Sequence, residues 1–189
     1  MDKLTPSSVF NKIVGYMTAE DMLKYLHELN SEMKKEGIEG EILLVGGAVM
    51  CLVLGARTMT KDIDALFEPK SKLYQLSHEV AKRNSLPADW LNDSVKGFIS
   101  DKAEYYTYRQ LSNLRINTVT EEYLLAMKCL ALREGAGSSD VADILFLLKR
   151  LQIKDFSALA DILLKYYPER LFTTRHKYRL EELLIDAFA

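Results

Sequence analysis

The sequence predicts an α/β (α+β) fold in which a small mixed sheet is followed by a helical carboxy-terminal region. Three observations predict it. Short runs of strand length and strand composition, "EILLVGG", "DIDALF", "EYYTYRQL" and "NLRINTVT", all fall before residue 120. Stretches of helical period are interleaved with them. After Thr120 come four helical patterns in a row, "EEYLLAMKCLALREG", "SSDVADILFLLKRL", "DFSALADILLKYY" and "RHKYRLEELLIDAF", separated by "GAGSS", "QIK" and "YPERLF". The resulting division is an α/β core with amino-terminal helices over residues 1–120 and a helical region packed on it over residues 121–189.

The elements follow in order. In "TAEDMLKYLHELNSEMKKEG", Thr18 is a cap with Asp21 three residues on, and Met22, Leu26, Leu29 and Met33 form an apolar stripe that Gly37 ends. "EILLVGG" is a buried strand ended by glycines, and "AVMCLVLG" is a short core helix stopping at Gly55. "DIDALF" is a strand with one wet face, ended by Pro69. A helix runs from Ser71 to Asn84, and Pro87 predicts the start of another through "LPADWLND". "EYYTYRQL" and "NLRINTVT" form a hairpin around a short polar turn.

Composition narrows the function classes. With 25 basic and 27 acidic residues the net charge is −2, so the 189-residue chain as a whole is not an electrostatic sponge for nucleic acid, while local basic clusters remain able to bind phosphates. No apolar run reaches the roughly 20 residues of a membrane span, and "MDKLTPSSVF" lacks a signal-peptide core, so a cytoplasmic protein with no membrane partner is expected. Cys51 and Cys129 lie in apolar segments and read as packed thiols. His27, His78 and His176 stand apart from one another and from any cysteine, which suggests no zinc site.

The chemistry concentrates in "LLVGGAVMCLVLGARTMTKDIDALF". Residues two apart on a strand share a face, so Asp62 and Asp64 present two carboxylates side by side while Ile63 points into the core. Adjacent carboxylates repel unless a cation lies between them, and oxygen-only donors favour Mg²⁺ or Mn²⁺ completed by water and phosphate oxygens. The turn at Gly46 and Gly47 lets backbone N–H groups approach phosphate, and Arg57, Thr60 and Lys61 line the same unit with polar and positive groups.

"VGGAV" followed by "RTMTKDIDALF" resembles the signature of the DNA polymerase β nucleotidyltransferase superfamily. With "LLAMKCLALR" and "SSDVADILFLL" the chain is similar to the abortive-infection nucleotidyltransferase toxins and to a nearby uncharacterised bacterial group, whose "LPADWLND" and "YYPERLF" it also resembles. The resemblance covers Ile42 to Leu151. It implies a sheet of nucleotidyltransferase type and transfer of a nucleoside monophosphate from a nucleoside triphosphate to an acceptor hydroxyl on RNA or protein. It also implies metal ions on Asp62 and Asp64, the triphosphate at Gly46 and Gly47, Lys128 reaching the phosphates, Arg133 nearby, and Asp140 and Asp143 as the acidic positions of the last motif. A cognate antitoxin is an implied partner. The superfamily's third carboxylate has no counterpart in "LRINTV", where Asn117 stands; Glu104 and Glu121 flank that strand.

Plainer readings stand beside these. Asp62 and Asp64 fit a solvated strand face, Arg57 fits an ion pair with Glu68, and Asp140 fits the dipole of a helix start. Asp143 fits an ion pair with Lys128 or Arg133. A degenerate relative that binds nucleotide or a partner protein without turnover is the alternative to the enzyme.

Overall fold

The computed structural model describes residues 15–132 and 138–189. They form a mixed α+β structure divided into two compact units: the residues through Lys96 with Tyr106–Thr118, and Gly97–Tyr105 with Val119–Ala189.

In the first unit, the Thr18 hydroxyl accepts from the Asp21 amide at 3.2 Å, and the Asp21 carboxylate accepts from the Thr18 amide at 3.1 Å. This reciprocal cap satisfies two donors that a helix start leaves open, and it sets α1, Ala19–Lys35, directly after β1, Met17–Thr18. Gly37, at φ +66°, turns the chain out of α1 as the sequence predicts. β2 is Gly40–Leu44. Helix α2 begins at Gly46–Ala48 and widens into a π-helical turn over Val49–Val53, with the Leu54 amide donating to the Val49 carbonyl at 3.0 Å. β3, Met59–Thr60, pairs antiparallel with β1, so the basic segment after α2 is tied to the start of α1. β4 is Ile63–Glu68 and α3 is Lys70–Asn84.

No helix starts at Pro87. Instead Trp90 ends a turn, β5 is Leu91–Asn92, and a 3₁₀ turn covers Ser94–Phe98. The physical reason is the edge of β4. The Ile63 amide donates to the Trp90 carbonyl at 2.7 Å, and Leu91 and Asn92 pair in parallel with Ile63 and Asp64. The Trp90 side chain is buried and its Nε1–H donates to the Ser77 carbonyl at 3.0 Å, so α3 anchors the new strand.

The hairpin strands are β6, Tyr105–Gln110, and β7, Leu114–Val119. The five-stranded sheet has the order β5-β4-β2-β7-β6, with β2 antiparallel to β4 and parallel to β7. One face of it, Ile42, Leu44, Ile63, Ala65, Phe67 and Ile116, is buried. Gly40 shows how closely helices meet that face: a side chain there would stand 2.8 Å from Met33 Cε and 3.1 Å from Leu73 Cδ1. Each such fully buried aliphatic side chain contributes on the order of 2 kcal/mol. Met22, Leu26 and Leu29 of α1 and Leu76 and Val80 of α3 are buried as their spacing predicts.

The second unit holds α4, Glu121–Ala131, α5, Ser138–Leu151, α6, Phe156–Tyr166, and α7, Thr174–Phe188. Thr120, Asp155 and Thr173 cap three of them through their side-chain oxygens. The segment 97–105 joins this unit by hydrogen bonds: the Ser100 amide donates to Tyr123 Oη at 2.7 Å, the Ser100 hydroxyl to the Tyr166 carbonyl at 2.6 Å, and the Tyr167 hydroxyl to the Phe98 carbonyl at 2.6 Å. Cys51 and Cys129 are free and buried. Among the described residues no helix is long and apolar enough to cross a membrane.

Candidate functional site

The site is built on three consecutive pieces of the first unit: the turn into α2, the β3 segment, and the start of β4. Gly46 has φ +60°, a conformation side chains rarely adopt, and a Cβ there would stand 3.4 Å from Asp64 Oδ2. Gly47 lacks the room for a side chain: a Cβ would lie 2.7 Å from Thr60 Oγ1 and 3.4 Å from Arg57 Nη1. The two glycines therefore bring the α2 backbone against Asp64 on one side and against Thr60 and Arg57 on the other. Val45, the residue before the helix, makes no side-chain cap hydrogen bond.

Asp64 lies in β4, and its backbone carbonyl accepts from the Val45 amide at 3.0 Å. Asp62 lies just before that strand rather than on it, because ladder pairing begins at Ile63. Both aspartates are partly exposed. Burial, and after it the charge of Asp64, pushes the Asp62 carboxyl above the ordinary aspartate range; Lys61 opposes this and Asp89 adds to it. Two side chains from the β5 region meet the pair. The Asn92 Nδ2 donates to Asp62 Oδ2 at 3.5 Å and the Ser94 hydroxyl to Asp64 Oδ1 at 3.2 Å.

The strand register places a further residue. Leu66 shares a face with Asp64, is opposite Leu43, and Leu43 is opposite Asn117 on β7. Asn117 thus occupies the carboxylate-bearing face two strands from Asp64, where it is buried and its Oδ1 accepts from the Thr107 hydroxyl at 3.0 Å. The flanking acids have other partners: Glu104 binds Lys165 at 2.9 Å and the Tyr166 hydroxyl at 2.9 Å, and Glu121 binds Arg150 at 2.6 Å.

Of the residues predicted from sequence, Gly46, Gly47, Arg57, Thr60, Lys61, Asp62 and Asp64 are thus drawn into one neighbourhood of the first unit. Lys128, Asp140 and Asp143 come together in the second unit. Lys128 Nζ is 2.9 Å from Asp140 Oδ1 and 2.8 Å from Asp143 Oδ2, with Asp143 buried. The plainer reading of Asp143 as an ion-pair partner of Lys128 matches this geometry. Asp140 stands in the first turn of α5 as well, so its position satisfies both the helix dipole and the lysine. Arg133 lies outside the described residues.

Asn92 and Ser94 are the residues that sequence reasoning did not reach. The signal was present in "WLNDS", where Asn92 and Ser94 repeat the two-residue spacing of Asp62 and Asp64, but the helical reading from Pro87 hid it.

The donor set suits a hard cation: Asp62 and Asp64 offer only oxygens, and burial, then the charge of Asp64, raises the Asp62 carboxyl. Among the described residues no group of three or more His, Cys, Asp or Glu side chains is disposed to hold a metal, so a cation at this pair would need its remaining ligands from water and phosphate. No protein-family model matches the chain, and neither a curated protein nor a solved structure matches it.

Proposed function

We propose that the protein is a nucleotidyltransferase-type protein that binds a nucleoside triphosphate with Mg²⁺ (or Mn²⁺) at Asp62 and Asp64 and transfers the nucleoside monophosphate to an acceptor hydroxyl. The observation that carries this reading is the packing of the Gly46-Gly47 turn against Asp64 on one side and Thr60 and Arg57 on the other. Phosphate recognition needs amides with no side chain in the way and a positive charge beside them, and this turn has both. A bound divalent cation would neutralise charge at the attacked phosphorus and on the departing pyrophosphate.

The chain's own residues divide the remaining work. The amides at the head of α2 hold phosphate oxygens, Arg57 and Lys61 balance their charge, and Thr60, buried beside Gly47, fixes the distance between turn and strand. In the transfer, the acceptor oxygen bonds to the α-phosphorus, the bond to pyrophosphate breaks, and the hydroxyl proton leaves to solvent. The amide of Asn117 offers no base for that proton, which lowers the rate by about 10²–10⁴ relative to a site with a positioned general base.

One observation favours a second reading. The Thr107–Asn117 hydrogen bond fills the expected position of a third carboxylate with neutral groups, as in a relative that binds nucleotide or a partner protein, such as a cognate antitoxin, without turnover. Incubation with labelled nucleoside triphosphates, Mg²⁺ or Mn²⁺ and a cell extract separates the two. The enzyme labels an RNA or protein acceptor and the Asp64→Asn variant does not; nucleotide binding without label selects the second reading, and neither binding nor label removes both the enzyme and the nucleotide binder.

A further inference from the structure

The segment Trp90–Ser94 lies along the edge of β4 with no evident need to end in polar residues. Trp90 and Leu91 are buried and suffice to dock it. Yet the next residues make a connected set. Asn92 Oδ1 accepts from the Ser94 amide at 3.0 Å, and its Nδ2 reaches both Asp62 Oδ2 at 3.5 Å and the Asp89 carbonyl at 3.4 Å. The Ser94 hydroxyl donates to Asp64 Oδ1 at 3.2 Å. Between them Asp93 turns away, bound to Lys70 and, at 2.5 Å, to the Tyr74 hydroxyl of α3. The segment is thereby held from both sides: by Trp90 on the Ser77 carbonyl and by Asp93 on Lys70 and Tyr74.

We propose that Asn92 and Ser94 are positioning residues that together orient the Asp62–Asp64 pair, one donor to each carboxylate. The proposal rests on the reading of that pair as a metal site. A neutral donor on a metal-binding carboxylate fixes the plane of the carboxylate before the cation arrives. Ser94 donates to Asp64 Oδ1 and Asn92 to Asp62 Oδ2, and Asp64 Oδ2 lies on the side of the Gly46 turn. Two acids that repel each other would otherwise rotate apart, and the order lost would have to be restored on binding. The clamp carries no charge of its own, so it orients the pair without neutralising it.

The test is Mn²⁺ binding, followed by the electron paramagnetic resonance signal of free Mn²⁺, on the full chain carrying Ser94→Ala, Ser94→Thr, Asn92→Ser or Asp64→Asn. Ser94 is exposed, so Ser94→Ala is expected to unfold at the wild-type temperature. It should bind Mn²⁺ about 10-fold more weakly, the lower end of what loss of a partner hydrogen-bonded to a metal ligand costs. Ser94→Thr, which keeps the hydroxyl, should recover most of the affinity, and Asn92→Ser should show a loss like that of Ser94→Ala. Adding Ser94→Ala to Asp64→Asn should lower the residual affinity no further, since the serine acts through Asp64. Wild-type affinity in both Ser94→Ala and Asn92→Ser, with binding lost in Asp64→Asn, overturns the clamp and leaves the metal reading intact. Equal affinity in wild type and Asp64→Asn, or no binding to wild type, overturns both.

Discussion

Two clusters of acidic and basic residues, one in each unit, answer their charge in opposite ways. In the second unit Lys128 sits between Asp140 and Asp143, within 2.9 Å of each, and its charge is met inside the protein. In the first, Asp62 and Asp64 receive neutral donors from Asn92 and Ser94, and their mutual repulsion, added to burial, pushes the Asp62 carboxyl up. A buried ion pair that is closed on itself holds two helices together; two neighbouring carboxylates repel each other, and a cation between them would lower the energy. The resemblance that marks both clusters as one active centre therefore joins groups whose electrostatics differ.

The largest effect expected from breaking this contrast is at the closed cluster. Lys128→Met removes the cation facing Asp143, and loss of one partner of a buried pair costs about 3–5 kcal/mol. Urea unfolding should show this as a lower midpoint with unchanged slope. Asp64→Asn is the opposite case: it relieves repulsion in the ligand-free protein, so the same measurement should give stability equal to or slightly above wild type.

A smaller and pH-dependent effect belongs to Asp62. Its native carboxyl titrates above the unfolded value, so the native state binds more protons than the unfolded state in the interval between the two. Stability falls as pH rises through that interval and the penalty is fully present above it. Asp62→Asn lacks the penalty, so thermal unfolding should show the variant gaining on wild type from acid toward neutral pH. Glu104 gives the reverse sign and the smallest effect. Lys165 and the Tyr166 hydroxyl hold its carboxyl below the ordinary glutamate range, so its contribution is present above the unfolded value and is lost as pH falls. It is exposed, and Glu104→Gln should change the acid limb of the profile only slightly.

The fold was legible where local chemistry is explicit. Thr18 and Asp21 close the cap that their spacing announces, Gly37 and Gly55 take the positive φ that ends their helices, and the strands around "EILL", "DIDALF" and the hairpin lie where their composition puts them. The region after Pro87 was not legible, because proline and a following amphipathic run favour a helix locally, whereas the open edge of β4 and the Ser77 carbonyl make an extended path better for Trp90 and Leu91. The same error concealed Asn92 and Ser94. That the turn at Gly46 and Gly47 comes close to Asp64 and Thr60 was readable because the φ of Gly46 and the space at Gly47 favour glycine. That Lys128 is held by Asp140 and Asp143 together was not readable in full, since α4 and α5 must pack before both acids face one ammonium.

The proposed function requires that Asp62 and Asp64 bind metal and nucleotide together. The direct measurement is thermal unfolding of wild type and Asp64→Asn with Mg²⁺ and each of the four common ribonucleoside triphosphates, separately and combined. The account predicts that metal and one or more nucleotides together stabilise wild type by about 2.7 kcal/mol when free ligand is 100-fold above its dissociation constant, and that Asp64→Asn loses this shift. An equal shift in both proteins, or none in wild type with any of the four, would contradict it.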